Sequence, residues 1–417
     1  MFKNKPFFTQ YPIIIWMLMS VPIAIIVGSC VALFLWLLDV VTMYRFNNNW
    51  LLYGLPIAGV AIYFVYQRWG KAVVAGNNLV ISEAQQPNKG IPIVMMPLIL
   101  STTIVTHLFG GSAGREGTAV QIGGSIANTV ARHFKLNTST LQVITIVGIA
   151  AGFGAVFGTT VAGAIFAIEV LAISNVFTKA FLPSLIASIV ADITCKSWGI
   201  IHTKYTVTPI TEFDGLLCIK VMVASVFFGL AARLFSFLID SLKEKTNQFI
   251  TTKWFIPIIG GSIVILGSWL LNTTDFLGLG VTSNSTNAVT IVSSFKAGGA
   301  NYFSWFWKLL FTVVTLALGF KGGEVTPLFF IGAALGNTIA IITNAPVDLM
   351  AAIGFVALFA AATNTPIAST IMAVELFGGN AIIYFAIGCS IAYYCSGKKG
   401  IYAAQILAWN KNGTPNS

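Results

Sequence analysis

Charge is scarce in this sequence. Only 9% of its 417 residues are charged, against roughly a quarter in soluble domains, which excludes an ordinary water-soluble globule. Histidine is scarcer still, with three residues. The five cysteines (Cys30, Cys195, Cys218, Cys389 and Cys395) lie singly in or beside apolar segments, with no C-x-x-C and no metal-type spacing to His107, His133 or His202. They read as reduced packing residues, and no metal or cofactor is expected. H-E-x-x-H is absent, and no nucleophile–base or metal constellation of an intramembrane enzyme is read in the chain, so no enzymatic role is expected. The net charge of +10 comes from dispersed Lys and Arg without a basic block or an aromatic-basic motif, which argues against nucleic acid.

What the chain has instead is oil. It is 56% hydrophobic, with a mean hydropathy of +0.85, and apolar runs of about twenty residues recur from Tyr11 to Trp409, each able to cross a bilayer as a helix. This describes an all-α polytopic membrane protein. The first run, Tyr11 to Val41, far exceeds a signal-peptide core and reads as a retained span. Lys3 and Lys5 at one end, and Lys398, Lys399 and Lys411 at the other, have no acids nearby. By the positive-inside rule both termini are cytoplasmic and the number of crossings is even.

The segment Gly110 to Gly124 sets an Arg115-Glu116 pair among glycines inside this apolar chain. A helix running from Glu116 places the pair at its N-terminus, where unpaired N–H groups and the positive end of the dipole favour an anion. An ionised Glu116 can fill such a seat, and protonation empties it. The bland alternative is a first-turn acid steadying its own helix by about 0.3–1 kcal/mol, an account that weakens inside a bilayer, where ionisable residues are rare and functional. Arg115 reads as a structural partner of that acid or as an attractor of anions.

In chain order, spans are expected to about Arg45, from Trp50 to Trp69 and from Pro92 to Phe109, with Gly76 to Val80 as polar backbone that must be buried or line a cavity. Asn137 caps a helix to about Val156, which Phe157-Gly158-Thr159-Thr160 interrupts before a short piece from Val161 to Ala172. Further spans are Ala180 to Trp198, Leu216 to Ile239, Phe255 to Leu271 and Phe303 to Phe320, with an amphipathic stretch at Ala288 to Phe295. Residues 1–10 read as a cytoplasmic tail, 11–202 as a first membrane repeat, 203–214 as a linker, 215–409 as a second repeat and 410–417 as a second tail.

The two halves align. Gly148 to Leu171 matches Gly354 to Phe377 without gaps, with Gly148/Gly354, Phe153/Phe359, Thr159/Thr365 and Glu169/Glu375 among the identities. Upstream, Gly114 to Thr129 matches Gly323 to Thr338, preserving Gly123/Gly332 and Asn128/Asn337. Duplicated transporters place substrate where broken helices of both repeats meet. Glu169 and Glu375 then read as paired structural acids. Glu324, Val325 and Thr326 approach the same centre as Arg115 to Gly117, with Glu324 able to take a proton. Thr326 is either a hydroxyl donor to an anion or a cap before Pro327. Tyr402, in an apolar final helix, is an anion ligand or an interfacial anchor.

These motifs resemble the CLC family of anion channels and proton-coupled anion transporters over nearly the whole chain. Gly114-Arg115-Glu116-Gly117 is similar to the family's G-R-E-G-P, Gly322 to Pro327 to its G-G-x-F-x-P, and Gly400-Ile401-Tyr402 to the segment bearing its central tyrosine, while Gly76 to Val80 stands for G-S-G-I-P. The resemblance implies a CLC-type fold of two inverted repeats with broken and re-entrant helices, normally paired as a homodimer with one pore per subunit. It implies that Glu116 is the gating glutamate and proton carrier and that Tyr402 is the inner anion ligand.

The departures resemble the family's bacterial fluoride/proton antiporters: Asn77 in place of the chloride-coordinating serine, Val325 in place of the phenylalanine, and Thr118 in place of the proline. Glu169-Val170 stands where many chloride exchangers have Glu-Glu. The expected anion site comprises Asn77, Gly117, Thr118, Val325, Thr326 and Tyr402, with Glu324 as a proton relay. The expected function is fluoride export from a bacterial cytoplasm across the inner membrane in exchange for protons, with lipid as surroundings. The alternative is a chloride/proton exchanger or passive anion channel of the same fold. Because the chain stops soon after Trp409, the family's appended cytoplasmic regulatory (CBS) domains are expected to be absent.

Overall fold

The structure, a computed structural model, describes residues 12–171, 177–209 and 213–405; the two expected tails and the last residues of the second repeat lie outside them. Within these residues the chain is helical and contains no strand. In the first half α1 (Pro12–Asn47), α2 (Leu55–Trp69), α3 (Asn77–Gln85), α4 (Met95–Leu108), α5 (Glu116–His133), α6 (Thr138–Phe157), α7 (Thr160–Glu169) and α8 (Phe177–Ser197) follow in order. The second half contributes α9 (Gly215–Phe249), α10 (Ile256–Leu270), α11 (Ser304–Ala317), α12 (Val325–Thr343), α13 (Val347–Thr363), α14 (Pro366–Phe377) and α15 (Ile382–Cys395). Among the described residues seven helices are long and apolar enough to cross a membrane, two of them counted with the 3-10 turn that leads into them (Asn49–Trp69 and Lys253–Leu270), and six further apolar helices are shorter, the last three following Val325–Thr343.

Local chemistry sets the breaks. The Asn137 side chain accepts from Thr140 N at 2.9 Å and starts α6, as an N-cap should. Gly158 ends it with φ of 74°, and the repeat-equivalent Asn364 ends α13 with φ of 56°. Glycine and asparagine tolerate this left-handed geometry, so both halves break at the same point.

Two expectations are corrected. The span expected from Leu216 to about Ile239, ending in Lys243-Glu244-Lys245, continues as helix through those residues to Phe249, because all three are good helix formers once the apolar run ends, and Lys253 Nζ holds the carbonyls of Asn247 and Ile250 at its end. The amphipathic stretch Ala288 to Phe295 is irregular to Thr290, turns at Ile291 and Val292 and ends in a 3-10 turn over Ser293–Phe295, with Thr290 and Ser293 exchanging backbone-to-hydroxyl bonds at 2.8 and 2.9 Å. Tyr402 does not sit in a helix. It lies in a turn segment, 400–405, pinned by Ile401 N to Ala362 O at 2.8 Å and by Ala404 N to Asn78 Oδ1 at 3.0 Å.

The repeat reappears as packing. In the first half α6 packs on α5, α8 and α1; in the second, α13 packs on α12, α15 and α9. Helices α6 and α13 are accordingly buried along nearly their whole length. Crossing glycines permit this closeness. A methyl group on Gly123 would overlap the carbonyl of Gly148 and the reverse, and Gly332 and Gly354 repeat the relation.

Where the halves meet, they exchange caps. Glu169 accepts from Ile367 N and Ala368 N at 2.9 and 2.7 Å, at the start of α14, while Glu375 accepts from Val161 N and Ala162 N at 2.9 and 2.8 Å, at the start of α7. Each acid satisfies donors that the opposite repeat leaves orphaned. Glu169→Ala strands two amides beside an apolar neighbour and is expected to cost about 2 kcal/mol, read as a lowered thermal midpoint in detergent. The loss at the more exposed Glu375 is smaller, and an unchanged midpoint in both variants would remove the latch.

Candidate functional site

Two glycine-rich loops build the centre. Gly114 and Gly323 pair as an antiparallel bridge, Gly114 N to Gly323 O at 2.6 Å and Gly323 N to Gly114 O at 2.8 Å. This clasp brings the N-termini of α5 and α12 together, so that two sets of unpaired N–H groups and two positive dipole ends share one small volume.

The Glu116 side chain fills it. Its Oε2 accepts from Thr326 N at 2.8 Å, from Thr326 Oγ1 at 2.5 Å and from Arg115 N at 3.2 Å. The carboxylate therefore sits on the N-terminus of the opposite repeat as well as capping its own helix. Its other oxygen, Oε1, stands 3.5 Å from Arg115 Nε, within ion-pair range but outside hydrogen-bond geometry, and accepts no bond. Glu116 is 1% exposed. A buried carboxylate with one oxygen held by three donors and the other left open is an anion in a seat, with room on one side for a proton or a second ligand.

The remaining expected residues fall around this point. Val325 and Thr326 form the first turn of α12, both buried. Space at Gly117 is tight: a methyl there would lie 2.7 Å from Asn77 Nδ2, 3.2 Å from Gly323 Cα and 3.5 Å from Glu324 Oε2. Those three groups thus converge on the backbone of Gly117. Asn77, the first residue of α3 after Gly76 in a positive-φ conformation, is buried with Oδ1 unpartnered, and Glu324 Oε2 is likewise buried without a partner. Tyr402 is buried within electrostatic reach of both Glu324 and Glu116. The Thr118 hydroxyl pairs with that of Thr103 on α4 at 2.9 Å, so its side-chain bond runs to a neighbouring helix.

One side of the seat is reached through open space. A vestibule of about 430 Å³, lined among others by Asp39, Arg45, Arg115, Thr203 and Asp275, shares Arg115 and Thr203 with a pocket of about 20 Å³ that touches Glu116, His202, Tyr205 and Thr326. The smaller pocket has room for about one water.

Sequence reading missed four residues here. Arg45 is buried at the vestibule wall. Lys308 is fully buried and donates to Phe276 O and Gly278 O at 3.1 and 2.8 Å, securing the loop that lines the vestibule. As a lone charge in the apolar run around it, Lys308 was visible in the sequence. His202, paired with Asp192 at 3.2 Å, and Tyr205 left no signal, because their partners are set only by folding.

Comparison with known proteins agrees with this architecture. A family model described as voltage gated chloride channel matches residues 57–397. The chain is 42% identical over 406 residues to a chloride/fluoride channel protein of Pseudomonas syringae pv. tomato, covering 96% of this chain and 88% of that one. An H(+)/Cl(-) exchange transporter of Vibrio cholerae is 24% identical over 76% of this chain and 72% of its own. Among solved structures, a CLC-type fluoride/proton antiporter superposes with a TM-score of 0.89 at 32% identity, covering 96% of this chain and 99% of that one. A slow cyanobacterial Cl-/H+ antiporter superposes at 0.79 with 17% identity over 93% of this chain and 96% of its own, a likeness of fold.

Proposed function

The chain belongs to the voltage-gated chloride channel (CLC) family, and on that premise we propose that it is a fluoride/proton antiporter in which Glu116 is both gate and proton carrier. The observation that carries this reading is the Glu116 carboxylate seated on Thr326 N and Oγ1 at the opposite helix start. Ionised, Glu116 takes the place of a permeant anion. Protonated, it loses the charge that the two helix N-termini favour, vacates the seat and leaves its donors to fluoride. One residue thus exchanges a proton for an anion without any covalent step.

Fluoride is small and strongly hydrated, so leaving water requires several short donors at once. Thr326 supplies an amide and a hydroxyl, Asn77 a side-chain amide, and Gly117, Thr118 and Val325 the surrounding first-turn backbone. Glu324 lies on the Asn77 side of the seat, where it serves as a proton relay, and Tyr402 closes the anion path beside it. We place the protein in the bacterial inner membrane as a multi-pass homodimer with one pore per subunit, surrounded by lipid, with both termini cytoplasmic and the 430 Å³ vestibule facing outward.

The test is the purified protein in liposomes under a fluoride gradient, following fluoride efflux and proton uptake together. Coupled movement in opposite directions is expected, with chloride far slower. Chloride moving as fast as fluoride would remove the selectivity, and fluoride flux without protons would make the protein a channel. Thr326→Val keeps the amide but removes one donor, and the half-saturating fluoride concentration is expected to rise about tenfold. Thr326→Ser should restore it. An unchanged concentration in the valine variant would show that the hydroxyl serves only Glu116.

A further inference from the structure

Away from the seat, a cleft of about 330 Å³ opens among α2, α9, α10 and α11, on the face where α2 and α9 end and α10 begins. Four lysines line it, Lys71, Lys243, Lys253 and Lys321, and its walls include no Asp or Glu. Two of the four are engaged within the protein: Lys253 Nζ holds the carbonyls of Asn247 and Ile250, and Lys321 Nζ lies 4.4 Å over the Tyr66 ring. Lys71 and Lys243 are exposed and form no ion pair among the described residues. Lys243 and Lys321 are close enough to repel each other. The Glu324 carboxylate is within electrostatic reach of Lys243 and Lys321, but four lysines around one acid leave an excess of positive charge that a bound anion would relieve.

The rest of the cleft is apolar, with Ile62, Ile256, Pro257 and Leu316 along its wall. Beside its lysines the chain exposes Trp69 and Trp254, at 61% and 42%. Exposed tryptophans at helix ends mark the headgroup level of a bilayer, and basic pockets between membrane helices at that level suit phosphate headgroups. Cationic side chains above an apolar wall match a ligand that is anionic at one end and hydrocarbon at the other. A soluble phosphate would use the lysines and leave the wall unused.

We propose that this cleft binds the phosphate headgroup of an anionic phospholipid from the adjacent leaflet, with Lys71 and Lys243 as its ligands and the acyl chains along the Ile62, Pro257 and Leu316 wall. Lys321 belongs to the loop that continues into Gly323, the glycine clasped to Gly114. The bound lipid therefore sits against the loop that shapes the anion seat.

The experiment uses the full chain in detergent, titrated with phosphatidylglycerol, phosphatidylcholine or inorganic phosphate while the thermal midpoint is followed. Phosphatidylglycerol is expected to raise the midpoint and phosphatidylcholine to leave it unchanged. The Lys71→Gln/Lys243→Gln double variant is expected to bind phosphatidylglycerol about 30-fold more weakly. Equal stabilisation by the two lipids, or undiminished binding by the double variant, would overturn the site. A full shift produced by inorganic phosphate alone would overturn the lipid as its source. Native mass spectrometry of the unaltered protein gives a readout independent of the variant: preferential retention of phosphatidylglycerol supports the proposal, and equal retention of phosphatidylcholine refutes it.

Discussion

Glu116→Gln is expected to reduce proton movement coupled to fluoride efflux to background, a loss of at least about tenfold. Glutamine matches the shape of the protonated side chain but carries neither a negative charge nor an exchangeable acid proton. A hydrogen bond to a charged acceptor is worth about 1.5–3 kcal/mol and to a neutral one about half that, so the amide holds the Thr326 donors weakly and no longer competes with an anion for them. Proton uptake, followed with a pH-sensitive dye in the same vesicles as the fluoride measurement, should disappear, and any remaining fluoride flux should lose its dependence on pH. Persistent coupling would assign the proton to another acid. Glu324, whose Oε2 is buried without a partner near Gly117, would then be the carrier.

Gly332→Val should have the largest structural effect. Any Cβ at Gly332 overlaps the carbonyl of Gly354, so a branched side chain must drive α12 from α13 along the most closely packed crossing of the second half. Overpacking of a tight interior costs about 1–3 kcal/mol for added methylenes, and here the obstacle is backbone, which cannot rotate aside. We expect a loss of about 3 kcal/mol or more, seen as failure to recover monodisperse protein or a sharply lowered thermal midpoint. Gly215→Ala is the control, because a methyl at that helix start meets nothing within 4 Å. Normal stability in Gly332→Val would show that the helices have slack at the crossing, and the anion seat at the head of α12 would not depend on it.

Much of the architecture was legible before any coordinates. Long apolar runs and sparse charge imply membrane helices because unpaired backbone is too costly in hydrocarbon. The duplication was equally readable: Gly123/Gly332, Gly148/Gly354 and Glu169/Glu375 recur in register. The identity of those glycines was visible, whereas the reason for it, a carbonyl in van der Waals contact across two helices, was not. The acids at Glu169 and Glu375 read correctly as structural, but which helix each one caps depends on how the halves dock.

Tyr402 shows the opposite case. Its apolar surroundings imply a helix, yet the chain there is held as a turn by Ala362 O and Asn78 Oδ1, partners that no local periodicity encodes. Thr118 is similar, since its hydroxyl found Thr103 on a neighbouring helix.

By itself, then, the sequence determined that Glu116 stands at a helix N-terminus inside a duplicated, apolar chain, because glycine, charge and repetition act locally and leave a pattern in order. Only the tertiary structure decided where its carboxylate goes. The donors at Thr326 are remote in sequence and come within reach because the Gly114 and Gly323 backbones clasp. Distance along the chain carries no record of such a meeting, and the energy that fixes it comes from packing two half-proteins against each other.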